Sequence, residues 1–341
     1  MNNHEKIWLS ILKEGEMTPN ELNIFNSKLV CPITDFAILQ VTGNDRYEFL
    51  QNQLTGDLNK SEVKSEFSSW CNLKGRVIAN FLILNTTESY FLILKKDIAD
   101  YVLKKIKMYI LRSDVKISDI TEEMLLVGLA NYDIHSGSPI ANISGLKKDG
   151  DVLELIGGEY EDRPGYLIKL PDFSNRFLAI MHVTEMENVL HRIEHCWEKI
   201  VNFKIWNKLD ILAGFAWIDF KNKEKFLPQM LNLDKFGAVS FSKGCYVGQE
   251  VIARLHYRGK VKKNLQLIKA ENNYILKTND YLYQNDPSIK IGEILNIDYI
   301  SNATYALAVI ESDKLNNAIY ADTKKMNKLE VLPMNISFGE K

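Results

Sequence analysis

Ser242-Lys-Gly-Cys-Tyr-Val-Gly-Gln-Glu250 sets one cysteine between two glycines and among a cation, an amide and a carboxylate. A hydrophobic core has no use for that composition. Gly244 and Gly248 remove side-chain bulk on either side of Cys245 and open backbone angles closed to other residues, so another molecule can approach the sulfur. An ammonium from Lys243 lying beside the sulfur favours the thiolate, the form that attacks electrophiles and binds metals, and pulls the thiol below its ordinary ~8.5. The plainer reading is a glycine-bounded loop whose cysteine is merely exposed.

Upstream of this run lie Gly214-Phe-Ala-Trp-Ile-Asp219 and Phe226-Leu-Pro-Gln-Met-Leu-Asn-Leu233. Downstream follow Val251-Ile-Ala-Arg254 and Tyr257-Arg-Gly-Lys260. In this order the segments resemble the signature of the YgfZ family of folate-binding proteins, relatives of the glycine-cleavage T-protein, an aminomethyltransferase. Two earlier stretches add to it. Phe49-Leu-Gln-Asn-Gln-Leu-Thr-Gly-Asp57 resembles the family's FLQ-x-x-x-T-x-D segment, and Asn72-Leu-Lys-Gly-Arg76 its short KGR turn. The resemblance spans roughly residues 30 to 340, with its most specific part between 214 and 260.

The resemblance implies an α+β fold of T-protein type, a ring of three modules in which two interleaved α+β modules precede a C-terminal β-barrel. Residues 1–24 are then an N-terminal helical extension, 25–260 the folate-binding region and 261–341 the barrel. It implies a folate-binding accessory protein that supports iron–sulfur cluster assembly or repair and thereby tRNA modification. Tetrahydrofolate or another folate is the expected cofactor, and iron–sulfur enzymes or assembly factors are the expected partners. Two other readings stand beside it: a tetrahydrofolate-dependent aminomethyl or one-carbon transferase, and an RNA-binding module.

Site residues carry over where they match. Lys243, Gly244, Cys245, Tyr246, Gly248, Gln249, Glu250 and Arg254 occupy signature positions. Cys245, with Lys243 beside it, is the reactive centre; its thiolate could ligate iron, pass sulfur or be oxidised reversibly. Gln249 and Glu250 could orient a ligand by hydrogen bonds, or Glu250 could pair with Arg254 one helical turn on. Tyr246 and Trp217 could offer aromatic faces to a flat pterin, or fill the core. One position departs from the pattern. Where the T-protein relatives read Leu-Arg-Leu-Glu-Ala-Gly, with the glutamate recognising the pterin, this chain has Leu209-Asp-Ile-Leu-Ala-Gly214, and Leu212 accepts no hydrogen bond. Asp210 or Asp219 is the substitute acid, or folate affinity is weakened. Asp57 and Asp219 are further folate-contact candidates that could equally cap a turn.

At 341 residues the chain exceeds one core, and a prior of one domain per ~150 residues gives two or three. A net charge of −2 gives no global attraction to nucleic acid, yet charge is unevenly placed. Lys243 to Lys263 carries six cations against Glu250 alone, and Lys95 to Lys116 carries seven against three acids. Such runs could hold a folate's glutamate tail or tRNA phosphates, or be solvated faces. Four scattered cysteines without C-x-x-C suggest neither a disulfide framework nor a zinc site, and point to the reducing cytoplasm. His191 and His195, four apart beside Cys196, lack a third ligand, so no metal site is expected. No apolar stretch approaches the ~20 residues of a bilayer helix, so no membrane association is expected. G-x-G-x-x-G, P-loop, H-E-x-x-H and G-x-S-x-G motifs are all missing from the sequence.

Periodicity predicts helices over 4–15, 45–54 (with Asn44 as a cap), 97–111 and 185–206. It predicts strands over 67–73, 77–84, 90–94, 125–130, 152–156 and 166–170, turns at Gly75 and Pro164-Gly165, and alternating strands at 265–268, 291–297 and 305–310. Between 206 and 264 it predicts mainly loop.

Overall fold

Nine consecutive residues, Val77-Ile-Ala-Asn-Phe-Leu-Ile-Leu-Asn85, are all buried, as a strand covered on both faces requires. The computed structural model describes residues 27–132, 146–155, 165–170, 175–188, 191, 199–271, 276–284, 289–300, 303–324 and 327–334. In it this strand, β4, sits in a five-stranded sheet with β2 (Phe36–Thr42), β3 (Lys64–Cys71), β5 (Tyr90–Lys95) and β6 (Lys116–Asp119), in the order β3-β4-β5-β2-β6. Helix α1 (Arg46–Gln53) follows β2, and α2 (Lys96–Lys107) packs on the sheet through Ile98, Ala99, Val102 and Ile106.

A second sheet, ordered β11-β1-β7-β10-β9-β8, takes β1 (Leu29–Pro32) from before the first sheet. After it come β7 (Met124–Ala130), β8 (Val152–Leu155), β9 (Gly165–Lys169), β10 (Phe177–His182) and β11 (Lys199–Ile200). The chain thus enters the second sheet, completes the first and returns, which interleaves the two modules. From Lys263 the chain closes a barrel of β12 (Lys263–Ala270), β13 (Tyr281–Tyr283), β14 (Lys290–Ile300), β15 (Ala303–Glu311), β16 (Ile319–Tyr320) and β17 (Lys328–Leu332). Pairing of β12 with β17, Leu267 opposite Leu332, removes the open edge. This is the α+β architecture with a closed C-terminal barrel that the resemblance implies.

Helix α3 (Phe203–Leu212) joins the second sheet to the barrel, touching β1 on one side and β14 and β15 on the other. Its Trp206 lies so close to β7 that a Cβ on Gly128 would fall 2.3 Å from the indole. Glycine at 128 is the condition for that packing.

Two expectations need correction. A single helix over 185–206 does not form: β11 pairs in parallel with β1, and a new helix begins at Phe203, capped by the Asn202 side chain accepting from the Lys204 amide. Sheet pairing outweighs the local apolar stripe there. The stretch to 264 is mainly loop, as expected, with one further α-helix, α4 (Gln249–Arg258), and a 3-10 turn over Pro228–Leu231. Asp45, not Asn44, occupies the N-cap of α1, without a side-chain capping bond, and the Asn44 side-chain amide donates to Asp114 (2.8 Å). The expected helix at 4–15, the extension 1–24, Pro164, His195 and Cys196 lie outside the described residues.

Candidate functional site

The loop before α4 is built by three segments far apart in sequence. Lys243 turns its ammonium onto the segment after α1, donating to the carbonyls of Leu54 (2.9 Å) and Gly56 (2.6 Å) and to Gln51 Oε1 (3.3 Å). The Ser240 amide donates to the Thr55 carbonyl at 2.8 Å, and Thr55 Oγ1 returns a bond to the Ala238 carbonyl at 2.6 Å. On the other flank, Gly248 adopts φ +83° against the hairpin tip at Asn72–Gly75. A Cβ on Gly248 would stand 2.5 Å from the Asn72 carbonyl oxygen and 2.9 Å from the Gly75 Cα. Gly75, at φ +69°, makes the turn that lets this approach happen. The FLQNQLTGD, NLKGR and KGCYVGQE stretches therefore meet at one place.

Cys245 is exposed, whereas Cys31 and Cys71 are buried, so it is the one accessible thiol among the described residues. A Cβ on Gly244 would meet nothing within 4 Å, so the loop is open to its surroundings at the residue before Cys245. Gln249 braces the loop by donating to the carbonyls of Lys243 (3.5 Å) and Gly244 (3.4 Å). Tyr246 is buried, its hydroxyl donating to the Ser240 carbonyl at 3.3 Å, and burial raises its phenol above the ordinary range.

The ammonium of Lys243 is engaged by its three oxygen acceptors, and burial lowers its pKa to about 8. These bonds clamp residues 51–56 to the cysteine loop. Lys243→Met, which orphans two backbone carbonyls, is expected to lower unfolding free energy by about 1–3 kcal/mol. Urea unfolding checks this, and an unchanged midpoint would mean the clamp carries no stability.

The remaining sequence candidates are dispersed. Asp57 is exposed and accepts from Gln51 Nε2 at 2.5 Å, near enough to Lys243 to act on its charge. Glu250 and Arg254 lie on the exposed face of α4, and no ion pair joins them among the described residues. Asp219 caps a turn, its Oδ1 accepting from the amides of Lys221 (2.9 Å) and Asn222 (2.8 Å).

Trp217 belongs to a second place, a cavity of about 30 Å³ between the two sheets. Phe36, Phe67, Phe215, Trp206 and Trp217 give it aromatic walls, and its polar part is the buried pair Arg176–Asp210 (Nη1–Oδ1 2.6 Å). Asp210 also accepts from Trp217 Nε1 at 2.9 Å. Burial raises the Asp210 carboxyl pKa, and the Arg176 charge draws it back. Leu212, at the position of the relatives' glutamate, packs partly buried against the core. Arg176 escaped sequence reading because a lone arginine before a strand carries no motif; its carboxylate partner 34 residues on appears only in three dimensions.

Three modules in this arrangement define a protein of the T-protein fold. The crystal structure of glycine cleavage system aminomethyltransferase T from Bartonella henselae matches with TM-score 0.72 at 11% identity, covering 92% of this chain and 88% of that one. The chain belongs to the YgfZ family. It is 30% identical over 284 residues to the tRNA-modifying protein YgfZ of Buchnera aphidicola subsp. Schizaphis graminum, covering 82% of this chain and 86% of the relative. It is 26% identical over 322 residues to the protein of that name from Serratia proteamaculans, covering 90% and 92%. No family model matches the chain.

Proposed function

We propose that this protein is a folate-binding accessory factor that supports iron–sulfur cluster assembly or repair in the cytoplasm, and through it tRNA modification, with Cys245 as its working thiol. One observation carries the reading: an exposed cysteine on a loop clamped by Lys243 and Gly248, open on the Gly244 side, in a chain of this family. The clamp holds the loop while leaving the sulfur accessible to a partner's cluster or disulfide.

The aromatic cavity is the folate seat in this reading. A pterin's amino-pyrimidine edge presents N–H donors, and Asp210 has acceptor capacity beyond its bonds to Arg176 and Trp217. Aromatic walls suit a flat bicyclic ring. At about 30 Å³ the space holds about one water, so the ligand enters only as the walls part. Transferase chemistry is the weaker reading, because Leu212 supplies no acid and Asp210 is already committed to a buried ion pair.

Complementation tests the thiol. Wild type and Cys245→Ala are expressed at equal levels in cells lacking their own family member, and methylthio modification of tRNA, a product of iron–sulfur enzymes, is quantified. Rescue by wild type alone is expected; equal rescue by both would remove Cys245 from the mechanism. Since Cys245 is exposed, the substitution should shift stability by no more than about 0.5 kcal/mol. Tetrahydrofolate titration should separately quench the fluorescence of Trp206 and Trp217, and saturating folate without quenching would place the ligand elsewhere.

A further inference from the structure

Helix α4 leaves the cysteine loop with an exposed face that, past Glu250 in its first turn, carries only positive charge and has no charge partner among the described residues. Between Glu250 and Glu271 the chain contains no acidic residue. Arg254, Arg258, Lys260 and Lys262 have no ion pair or side-chain hydrogen bond among the described residues. Elsewhere cations such as Lys60, Lys95, Lys105 and Lys225 are matched to carboxylates. Arg254, Tyr257 and Arg258 stand at helical spacings of three and four, hence on one face.

Aromatic rings accompany these charges. His256 stacks on Phe241 with centroids 3.7 Å apart and planes 13° apart, and Tyr257 meets both rings edge-on. Tyr257 is 66% exposed yet held, since its hydroxyl donates to the Phe241 carbonyl at 3.4 Å. A fixed, exposed ring flanked by two free arginines is poorly explained by folding, which gains little from it. It suits a ligand that brings π-faces and negative charge together.

We propose that this face of α4 binds single-stranded nucleic acid, one base stacking on Tyr257 and the adjoining phosphates lying on Arg254, Arg258, Lys260 and Lys262. Stacking on aromatics combined with a basic track is how single strands are held without sequence preference. An acidic protein segment would satisfy the charges but leave the ring unused. The face is separate from the cavity between the sheets, so it neither requires nor excludes folate binding.

The test is fluorescence anisotropy of the full chain with fluorescein-labelled 12-mers of one mixed sequence, as RNA and as DNA, from 50 to 200 mM salt. Four neutralised phosphates give a log–log salt slope of about −3, a loss of about 50-fold over that range. Tyr257→Ala should weaken binding about 5- to 100-fold and leave the slope unchanged, while Tyr257→Phe should restore it. Arg254→Gln with Arg258→Gln should reduce the slope by about 1.4. Binding in either arm supports the proposal, and the tighter arm names the polymer. The idea is overturned by no binding at 50 mM salt with folding intact, by binding that these variants leave unchanged, or by equal affinity for the same 12-mer annealed to its complement. Displacement by polyglutamate at equal charge would equally overturn it, in favour of an acidic protein partner.

Discussion

Arg176→Met is expected to lower the unfolding free energy by about 3–5 kcal/mol, a large fraction of the stability of a domain. The reason lies in what remains. Asp210 is 5% exposed, and without the guanidinium its carboxylate sits buried in aromatic walls with one bond from Trp217. Its folded pKa, already raised by burial, then rises further above the ordinary 3.8. A carboxyl with a raised folded pKa costs stability above that pKa and ceases to cost it below the unfolded value. The deficit of Arg176→Met should therefore narrow as pH falls towards 3.8. Removing both charges, Arg176→Met with Asp210→Leu, should recover most of the loss, since a buried pair contributes little against an apolar replacement. Denaturant titration of the three variants at pH 7 and pH 5 decides it. Equal stability of Arg176→Met and wild type would mean that water reaches Asp210 and the cavity is open.

The second large effect has the opposite sign. Lys208 on α3 is 2% exposed, faces the barrel near Asp298, and has no hydrogen-bond acceptor among the described residues. Burial lowers its pKa from 10.5 to about 8, and burial likewise raises Asp298 to about 6. A lysine whose folded pKa is depressed costs nothing above its unfolded pKa, and the cost grows as pH falls towards 8. It is fully present at pH 7. Lys208→Met is thus expected to stabilise the protein by about 1–3 kcal/mol at pH 7, partly offset because Asp298 loses a cation. The gain should vanish above pH 10.5. Thermal unfolding at both pH values would expose the error if Lys208→Met were destabilising at pH 7. Lys243 differs in its partners: both lysines are lowered to about 8 by burial of the ammonium, but part-buried Lys243 holds three oxygen acceptors and buried Lys208 holds none among the described residues.

What the sequence by itself determined is local. The run at 77–84 reads as a hairpin strand beside the Gly75 turn, and the alternation from 265 to 310 reads as strands of a C-terminal β domain because side chains of a strand point to opposite faces; that these strands close a barrel is what the resemblance implied. Gly75 and Gly248 read as special positions, since bulk or positive φ excludes other residues there. The nine residues from Ser242 to Glu250 carried the family, because so specific a string of types needs no neighbour to be legible.

Tertiary structure decided everything that depends on which distant segments meet. The helix expected to run to Trp206 stops because β11 gains a ladder with β1, some 170 residues earlier. Lys243 donates to the carbonyls of 54 and 56 because an ammonium withdrawn from water needs oxygen acceptors, and the segment after α1 brings those carbonyls to it. Asp210 becomes the acid of the cavity, and Asp219 a turn cap, because one faces Arg176 between two sheets and the other faces its own backbone amides. Spacing along the chain records periodicity, which is short-ranged; burial and charge pairing are properties of places, and places exist only once the chain has folded.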